Sequence, residues 1–168
     1  MGLKEYQKKR DFEKTKEPRG KSSKAHTDEL TFVVQEHHAS HLHWDFRLEV
    51  EGVLKSWAVP KGPSLEPEVK RLAVQVEDHP LEYGSFEGTI PKGNYGAGTV
   101  QIWDNGTYEA EGADSPEESE KLMMQGLKKG HLNIVLHGHK LKGAYSLIRF
   151  HGEDKDNQWL LFKKKRSK

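Results

Sequence analysis

Between His37 and Glu49 the chain reads His-His-Ala-Ser-His-Leu-His-Trp-Asp-Phe-Arg-Leu-Glu, and four of these side chains, His37, His43, Asp45 and Arg47, are equipped to handle a metal ion or a phosphate. From His41 onward the residues alternate: His41, His43, Asp45, Arg47 and Glu49 on one side, Leu42, Trp44, Phe46, Leu48 and Val50 on the other. A period of two is the signature of a strand. With its apolar side turned to a core, such a strand lines up imidazoles, a carboxylate and a guanidinium on the opposite face, about 7 Å apart at successive same-face positions. His43 and Asp45 have the spacing of two metal ligands on one face, and His37 is available as a third from the preceding strand. Imidazoles with a carboxylate suit Mn, Fe or Zn, and the absence of cysteine removes thiolate chemistry. The competing interpretation is a solvated polar face in which the Asp and Arg merely pair.

The surrounding elements must hold this row in place. A strand is expected from Leu30, turning at His38-Ala-Ser, and Glu51-Gly52 reads as a two-residue hairpin turn into Val53–Val59. That turn pairs position 43 with 60 and brings Lys61, in the loop Pro60-Lys-Gly-Pro-Ser, close to the start of the His43 strand. Residues 71–79 alternate again, which predicts Leu72, Val74 and Val76 on an apolar face and Arg71, Ala73, Gln75, Glu77 and His79 on a polar one. Pro91-Lys-Gly-Asn-Tyr-Gly-Ala-Gly98 lacks the Gly-Lys-Ser/Thr ending of a P-loop and reads as a tight passage between strands. Asn105-Gly106 is a strong turn signal and predicts a second hairpin. Ser115, Pro116, Glu118 and Gly130 bracket a helix with a capping box, a proline at its first position and a glycine stop. Leu122, Met123 and Leu127 give that helix a narrow apolar stripe. Strands near 131–137, 141–150 and 158–163 complete the expected fold. It is mainly β, a small barrel or strongly curved antiparallel sheet with one peripheral helix and a polar concave active-site face.

Charge divides the chain into an arm, a body and a tail. The overall charge is +1, yet residues 1–25 and 163–168 each carry +5, which leaves −9 between them. Basic ends on an acidic body point to polyanion contacts made by arms and a few placed residues, or to solubilising tails. The division expected is a polar basic arm at 1–29 and a single domain at 30–168 ending in a basic tail. No apolar run reaches membrane-spanning length and no signal peptide is read at the start, so a soluble cytoplasmic protein with no membrane partner is expected.

Taken together, four stretches resemble the 3′-phosphoesterase domain of bacterial DNA ligase D. They are His37–Glu49, Lys55-Ser-Trp-Ala-Val-Pro-Lys-Gly-Pro-Ser64, Lys70-Arg-Leu-Ala-Val-Gln-Val-Glu-Asp-His-Pro80 and Phe86-Glu-Gly-Thr-Ile-Pro-Lys-Gly-Asn-Tyr-Gly-Ala-Gly98. The resemblance runs from about Arg10 to the last strand, without ligase or polymerase sequence. It implies an end-healing enzyme dependent on Mn²⁺, with Co²⁺ or Zn²⁺ as other divalent candidates. Such an enzyme removes a 3′-terminal ribonucleoside to leave a 3′-phosphate, then converts the phosphate to a 3′-hydroxyl. DNA primer ends would be the substrate, and a separate ATP-dependent DNA ligase and repair polymerase the partners. It also implies roles: His37, His43 and Asp45 hold the metal; Arg47, Arg71 and Lys61 approach phosphate; His79 and Tyr83 lie nearby; Arg10, Asp11 and Glu17 match functional positions in the N-terminal stretch. The sequence departs from the family pattern at Trp44, where tyrosine is common, and at Glu36, where a basic residue usually precedes the first ligand.

Two other functions compete with that reading. His43, Asp45 and His79 imitate the two-histidine, one-carboxylate triad of a cupin-like non-haem iron oxygenase. A non-catalytic DNA-end-binding module with a vestigial metal site would use the same basic arms.

Overall fold

A computed structural model describes residues 3–10, 29–150 and 157–165. Among the described residues nine strands carry the fold: β1 (Leu30–His38), β2 (Leu42–Val50), β3 (Val53–Val59), β4 (Arg71–Pro80), β5 (Gly88–Ile90), β6 (Gly98–Ala110), β7 (His131–His137), β8 (Lys142–Arg149) and β9 (Gln158–Lys163). Hydrogen bonding runs in the order β1-β2-β3-β4-β9-β8-β7-β6, and β6 returns to β1, so eight antiparallel strands close into a barrel with β5 added on β6. Closure removes the exposed edges that an open sheet of this size would leave.

Alternation sorts the side chains as the sequence requires. Phe32, Val34, Phe46, Leu48, Trp57, Ala73, Tyr145, Leu147, Trp159 and Leu161 meet in one buried core to which every strand of the closed ring contributes. The opposite face of β1–β3 carries Gln35, His37, Asp45, Arg47 and Ser56, polar groups that are nonetheless buried. Among the described residues their cover consists of α1 (Lys4–Lys8), a 3₁₀ turn at Leu81–Ser85 and the glycine-rich loop before β6. Tyr6 of α1, Leu54 and Tyr83 form a second small apolar cluster over that face. Burying a side chain of that size contributes on the order of 2 kcal/mol, which explains how a polar, lysine-rich start is held against the barrel.

The short-range turn and cap signals come out largely as read. Glu51 and Gly52 both have positive φ, 51° and 80°, as a tight hairpin turn demands. Helix α2 (Pro116–Lys129) starts where Ser115 Oγ accepts from Glu118 N at 3.1 Å and ends on Gly130 in the left-handed conformation. Glu118 does not complete the expected box on Ser115; its Oε1 accepts from Asp114 N at 2.7 Å. Met123 is buried in the core with Leu122 and Leu127 packed beside it. Helix α1 and the 3₁₀ turn are additions to the single helix that was expected.

Two expectations fail. Asn105-Gly106 is not a hairpin turn: β6 runs through it without a break, pairing Val33 with Asn105 and Phe32 with Gly106. A Cβ at Gly106 would lie 2.1 Å from the His137 carbonyl, so this glycine is present because another backbone passes over it. The faces of β4 are also misassigned. Ser56 pairs with Val76 and Leu54 with His79, so two residues, Glu77 and Asp78, stand opposite Lys55 in a bulge. Leu54 and Ser56 share a face of β3, so Val76 and His79 share one on β4, while Ala73 enters the core and Leu72 is 40% exposed. A strict period of two cannot anticipate that inserted residue. Among the described residues no helix is long and apolar enough to cross a membrane.

Candidate metal and phosphate site

His37 and His43 are direct cross-strand partners on β1 and β2, as are Gln35 and Asp45. The pleat therefore brings His37, His43 and Asp45 together, with one ligand atom from each lying within 4.8 Å of the others. Each imidazole is anchored from behind. His37 Nε2 is 2.8 Å from the Gly96 carbonyl, and His43 Nδ1 is 3.1 Å from the His41 carbonyl. A carbonyl only accepts, so both of these nitrogens carry hydrogen, and each ring turns its other nitrogen to Asp45. His37 Nδ1 lies 3.4 Å from Oδ2, and His43 Nε2 lies 3.2 Å from Oδ1. A positive charge must stand between each inner nitrogen and the carboxylate: as a protonated ring each imidazole donates to Asp45, and as a neutral ring each turns a lone pair to the place where a cation would sit. A backbone carbonyl behind each imidazole is the outer partner that metal-binding histidines use to set their tautomer. The donor set, two nitrogens and a carboxylate, fits a divalent cation of intermediate hardness.

Asp45 is buried, and burial by itself raises its pKa; the Arg47 charge and the hydrogen bonds from His37 and His43 outweigh this and hold it well below the usual carboxylate range. His43 is shifted upward by its hydrogen bond to Asp45, against the pull of burial.

Beside the histidines lies a guanidinium corner. Arg47, 2% exposed, donates from Nε to Gln35 Oε1 at 2.6 Å, from Nη1 to Ser56 Oγ at 2.8 Å and from Nη2 to Asp45 Oδ2 at 3.4 Å. Gln35 is in turn fixed by donating to the carbonyls of Tyr83 and Phe86. Arg10, reaching in from the end of α1, donates to Glu77 Oε2 at 3.1 Å and to His79 Nε2 at 3.3 Å. An arginine cannot accept, so Nε2 of His79 is the lone pair, and Nδ1 donates to the Glu77 carbonyl at 3.0 Å. Burial, followed by the charges of Arg47 and Arg10, pushes the pKa of His79 well below its ordinary value, and the ring is neutral. Tyr6 and Tyr83 pack against it with centroids 4.9 and 4.7 Å away.

These groups line one cavity of about 310 Å³ with Arg10, His37, His43, Asp45, Arg47, Glu77, His79, Tyr83 and Tyr95 on its walls. Arg71 and Lys61 are not on them. Arg71 Nη1 donates to the carbonyls of Lys61 and Gly62 at 2.7 and 2.9 Å, which ties the two residues together outside the cavity. Asp11 and Glu17 lie outside the described residues. Glu36 points away from the ligands and contacts His38 Nε2 at 2.6 Å. His43, Asp45 and His79 do not form a ligand triad: the cluster among the described residues is His37, His43 and Asp45, and His79 is turned to Arg10.

The sequence reading left Gln35, Ser56, Glu77 and Tyr95 without roles. Gln35 was detectable, standing two residues before His37 on the same face. Glu77 required the bulge, and Tyr95 the path of its loop.

A family model described as the DNA ligase D 3′-phosphoesterase domain matches residues 35–149. The multifunctional non-homologous end joining protein LigD of Pseudomonas aeruginosa is 56% identical over 164 residues, 97% of this chain and 18% of that protein. The LigD proteins of Mycobacterium tuberculosis and Mycolicibacterium smegmatis are 46% and 45% identical over 167 and 163 residues, 99% and 97% of this chain and 20% of each of theirs. The chain thus spans about a fifth of the length of these curated relatives.

Proposed function

Because this chain belongs to the DNA ligase D 3′-phosphoesterase family, we propose that it is a Mn²⁺-dependent hydrolase that heals 3′ ends for double-strand break repair by end joining in the cytoplasm. It takes off a 3′-terminal ribonucleoside to leave a 3′-phosphate, and then converts that phosphate to a 3′-hydroxyl. Its substrates are DNA primer ends, and a DNA ligase and a repair polymerase use the healed terminus.

The observation that carries this reading is the pair of anchored imidazoles whose inner nitrogens both face the Asp45 carboxylate, with two arginines alongside. His37, His43 and Asp45 would hold the cation, and bound there it would supply Lewis-acid polarisation of a phosphate. Charge accounting supports the same reading. Among the described residues the charged groups lining the cavity are Arg10 and Arg47 against Asp45 and Glu77, which cancel. A divalent cation adds +2 to these walls, opposite in sign to a phosphomonoester dianion.

Arg47 is the principal phosphate ligand. Its held geometry presents guanidinium donors to the non-bridging oxygens where charge accumulates, with no reorganisation needed during reaction. Arg10 is the second; a phosphate oxygen competes with His79 for its Nη2. His79 Nε2, once released, can take a proton from an attacking water or share one with the phosphate. Tyr83 packs against both Arg47 and His79 and limits their freedom. Lys61 and Arg71 belong to the approach of the nucleic acid, beyond the reacting phosphate. Asp11 and Glu17 are assigned to the same site from the resemblance. The ribose 2′-hydroxyl is the group that distinguishes an RNA terminus, and it is read on the nucleoside side of the cavity.

A labelled duplex with a 3′-ribonucleotide on the primer strand, incubated with and without Mn²⁺ and resolved by gel, tests the proposal. Successive 3′-phosphate and 3′-hydroxyl products that need the metal are expected. Tight binding of the end with neither product would instead identify a DNA-end-binding module.

A further inference from the structure

Tyr95 is the one exposed Phe, Tyr or Trp among the described residues, 46% accessible at the mouth of the cavity. Its exposure is not that of a slack loop. The adjoining Gly96 has a φ of 76° and gives its carbonyl to His37 Nε2, so the position of Tyr95 is coupled to a proposed metal ligand through one peptide unit. Two cations of the N-terminal segment bear on the ring. Lys9 Nζ sits 4.7 Å from its centroid and 3.5 Å from its hydroxyl, and the Arg10 guanidinium lies 5.2 Å from the centroid. Lys9 also lies 3.6 Å from Glu77 Oε1, within the ion-paired group that holds Arg10. An aromatic ring kept in solvent and oriented by neighbouring cations is suited to receive a flat partner on its remaining surface.

Arg47 and the three proposed ligands occupy the charged end of the cavity, and Ala39, Ile90 and Tyr95 add apolar lining. A cavity of about 310 Å³ has room beyond a phosphate group. In a duplex the last base has one face with no neighbour to stack on, and that face is what separates an end from continuous DNA.

We propose that Tyr95 stacks on the base of the terminal nucleoside, the one bearing the 3′-phosphate, and so selects base-bearing ends. This rests on the phosphoesterase reading, and the experiment separates the two. Wild-type protein, Tyr95→Ala and Tyr95→Phe are given two duplexes that differ only at the 3′-phosphorylated terminal residue, one with a base and one abasic. Phosphate release is followed with Mn²⁺. In parallel, metal-free binding is read from the fluorescence of 2-aminopurine at the terminal position. Wild type should favour the base-bearing end by about tenfold or more in kcat/KM, and Tyr95→Phe should keep that preference. Tyr95→Ala should reduce the ratio towards one and lose the binding-induced fluorescence change. Equal use of both ends by wild type, or an unchanged ratio in Tyr95→Ala, overturns the assignment while leaving the phosphoesterase reading intact. Loss of the preference in Tyr95→Phe as well would assign it to the hydroxyl and its Lys9 contact, and overturns stacking too. Absence of phosphate release from either duplex by wild type would remove the phosphoesterase reading itself, and the fluorescence arm would then decide stacking alone.

Discussion

The two halves of the cavity are built by different means. His37, His43 and Asp45 stand on adjacent strands paired residue for residue, and the ladder of β1 and β2 alone determines that they meet. Arg10, Glu77 and His79 meet because a bulge in β4 turns His79 toward the site and because Tyr6 pins the N-terminal segment over it. The first half inherits the rigidity of a closed barrel. The second depends on a five-residue helix and a buried ion pair, and local opening draws on just such lightly anchored segments.

Breaking the ladder-built half should cost most. Asp45→Ala removes the carboxylate that both imidazoles face, and phosphate release should fall by about a thousandfold or more. Calorimetric titration with Mn²⁺ should lose its heat signal in the same variant. Retained Mn²⁺ binding would refute the ligand assignment. Arg47→Ala comes next: loss of a preorganised donor to the phosphate should cost on the order of 3 kcal/mol, about a hundredfold in single-turnover rate. Arg71→Ala is the control for this variant, since its guanidinium is committed to loop carbonyls outside the cavity; a loss equal to that of Arg47→Ala would place Arg71 on the reacting phosphate after all.

The segment-built half should respond more mildly and in a recognisable way. Glu77→Gln weakens the hold on Arg10 and should lower the saturated rate by about tenfold. Deletion of residues 1–20 should lower the saturated rate at every salt concentration. A merely solvated basic arm would instead weaken binding, flatten its salt slope and leave turnover unchanged, so salt titration of the deletion variant discriminates between the two.

The smallest effect concerns pH and stability. The pKa of His79 is depressed in the folded state, so its contribution is fully present above the unfolded value of about 6.5 and is lost as pH falls toward the folded value, by up to about 1.4 kcal/mol per pH unit. His43 is shifted the other way by Asp45: its contribution is complete below that same unfolded value and fades as pH rises above it, so wild type carries this second trend beside that of His79. The difference between wild type and His79→Asn isolates it. Denaturant melts of the two should converge as pH drops from about 6.5 to 5, and a gap that stays constant would mean that His79 is not held neutral.

Much of this protein is legible one element at a time, because the relevant energies are local. Alternation in 42–50, the positive-φ requirement at Glu51-Gly52, and the Ser115 and Gly130 caps depend on residues within a few positions of one another. His43 and Asp45 could be matched as ligands from spacing alone, and His37 needed only the adjacent hairpin. What stayed hidden depends on contacts between distant parts of the chain. Asn105-Gly106 carries the chemistry of a turn, yet the pairing of β6 with both β1 and β7 outweighs that preference and uses the glycine for clearance. The bulge at Glu77-Asp78 leaves no mark in an alternating sequence, and without it His79 would face the core. Arg10 lies among lysines of similar charge; the burial of Tyr6 against Leu54 and Tyr83, residues more than forty positions away, is what brings this one guanidinium into the cavity. Where a strand runs without a bulge, the sequence determined which side chains share its faces, since the pleat is a property of the backbone. The tertiary structure decided which faces enclose the site, since that depends on where the barrel closes and on which segments can bury enough apolar surface to stay on its outer wall.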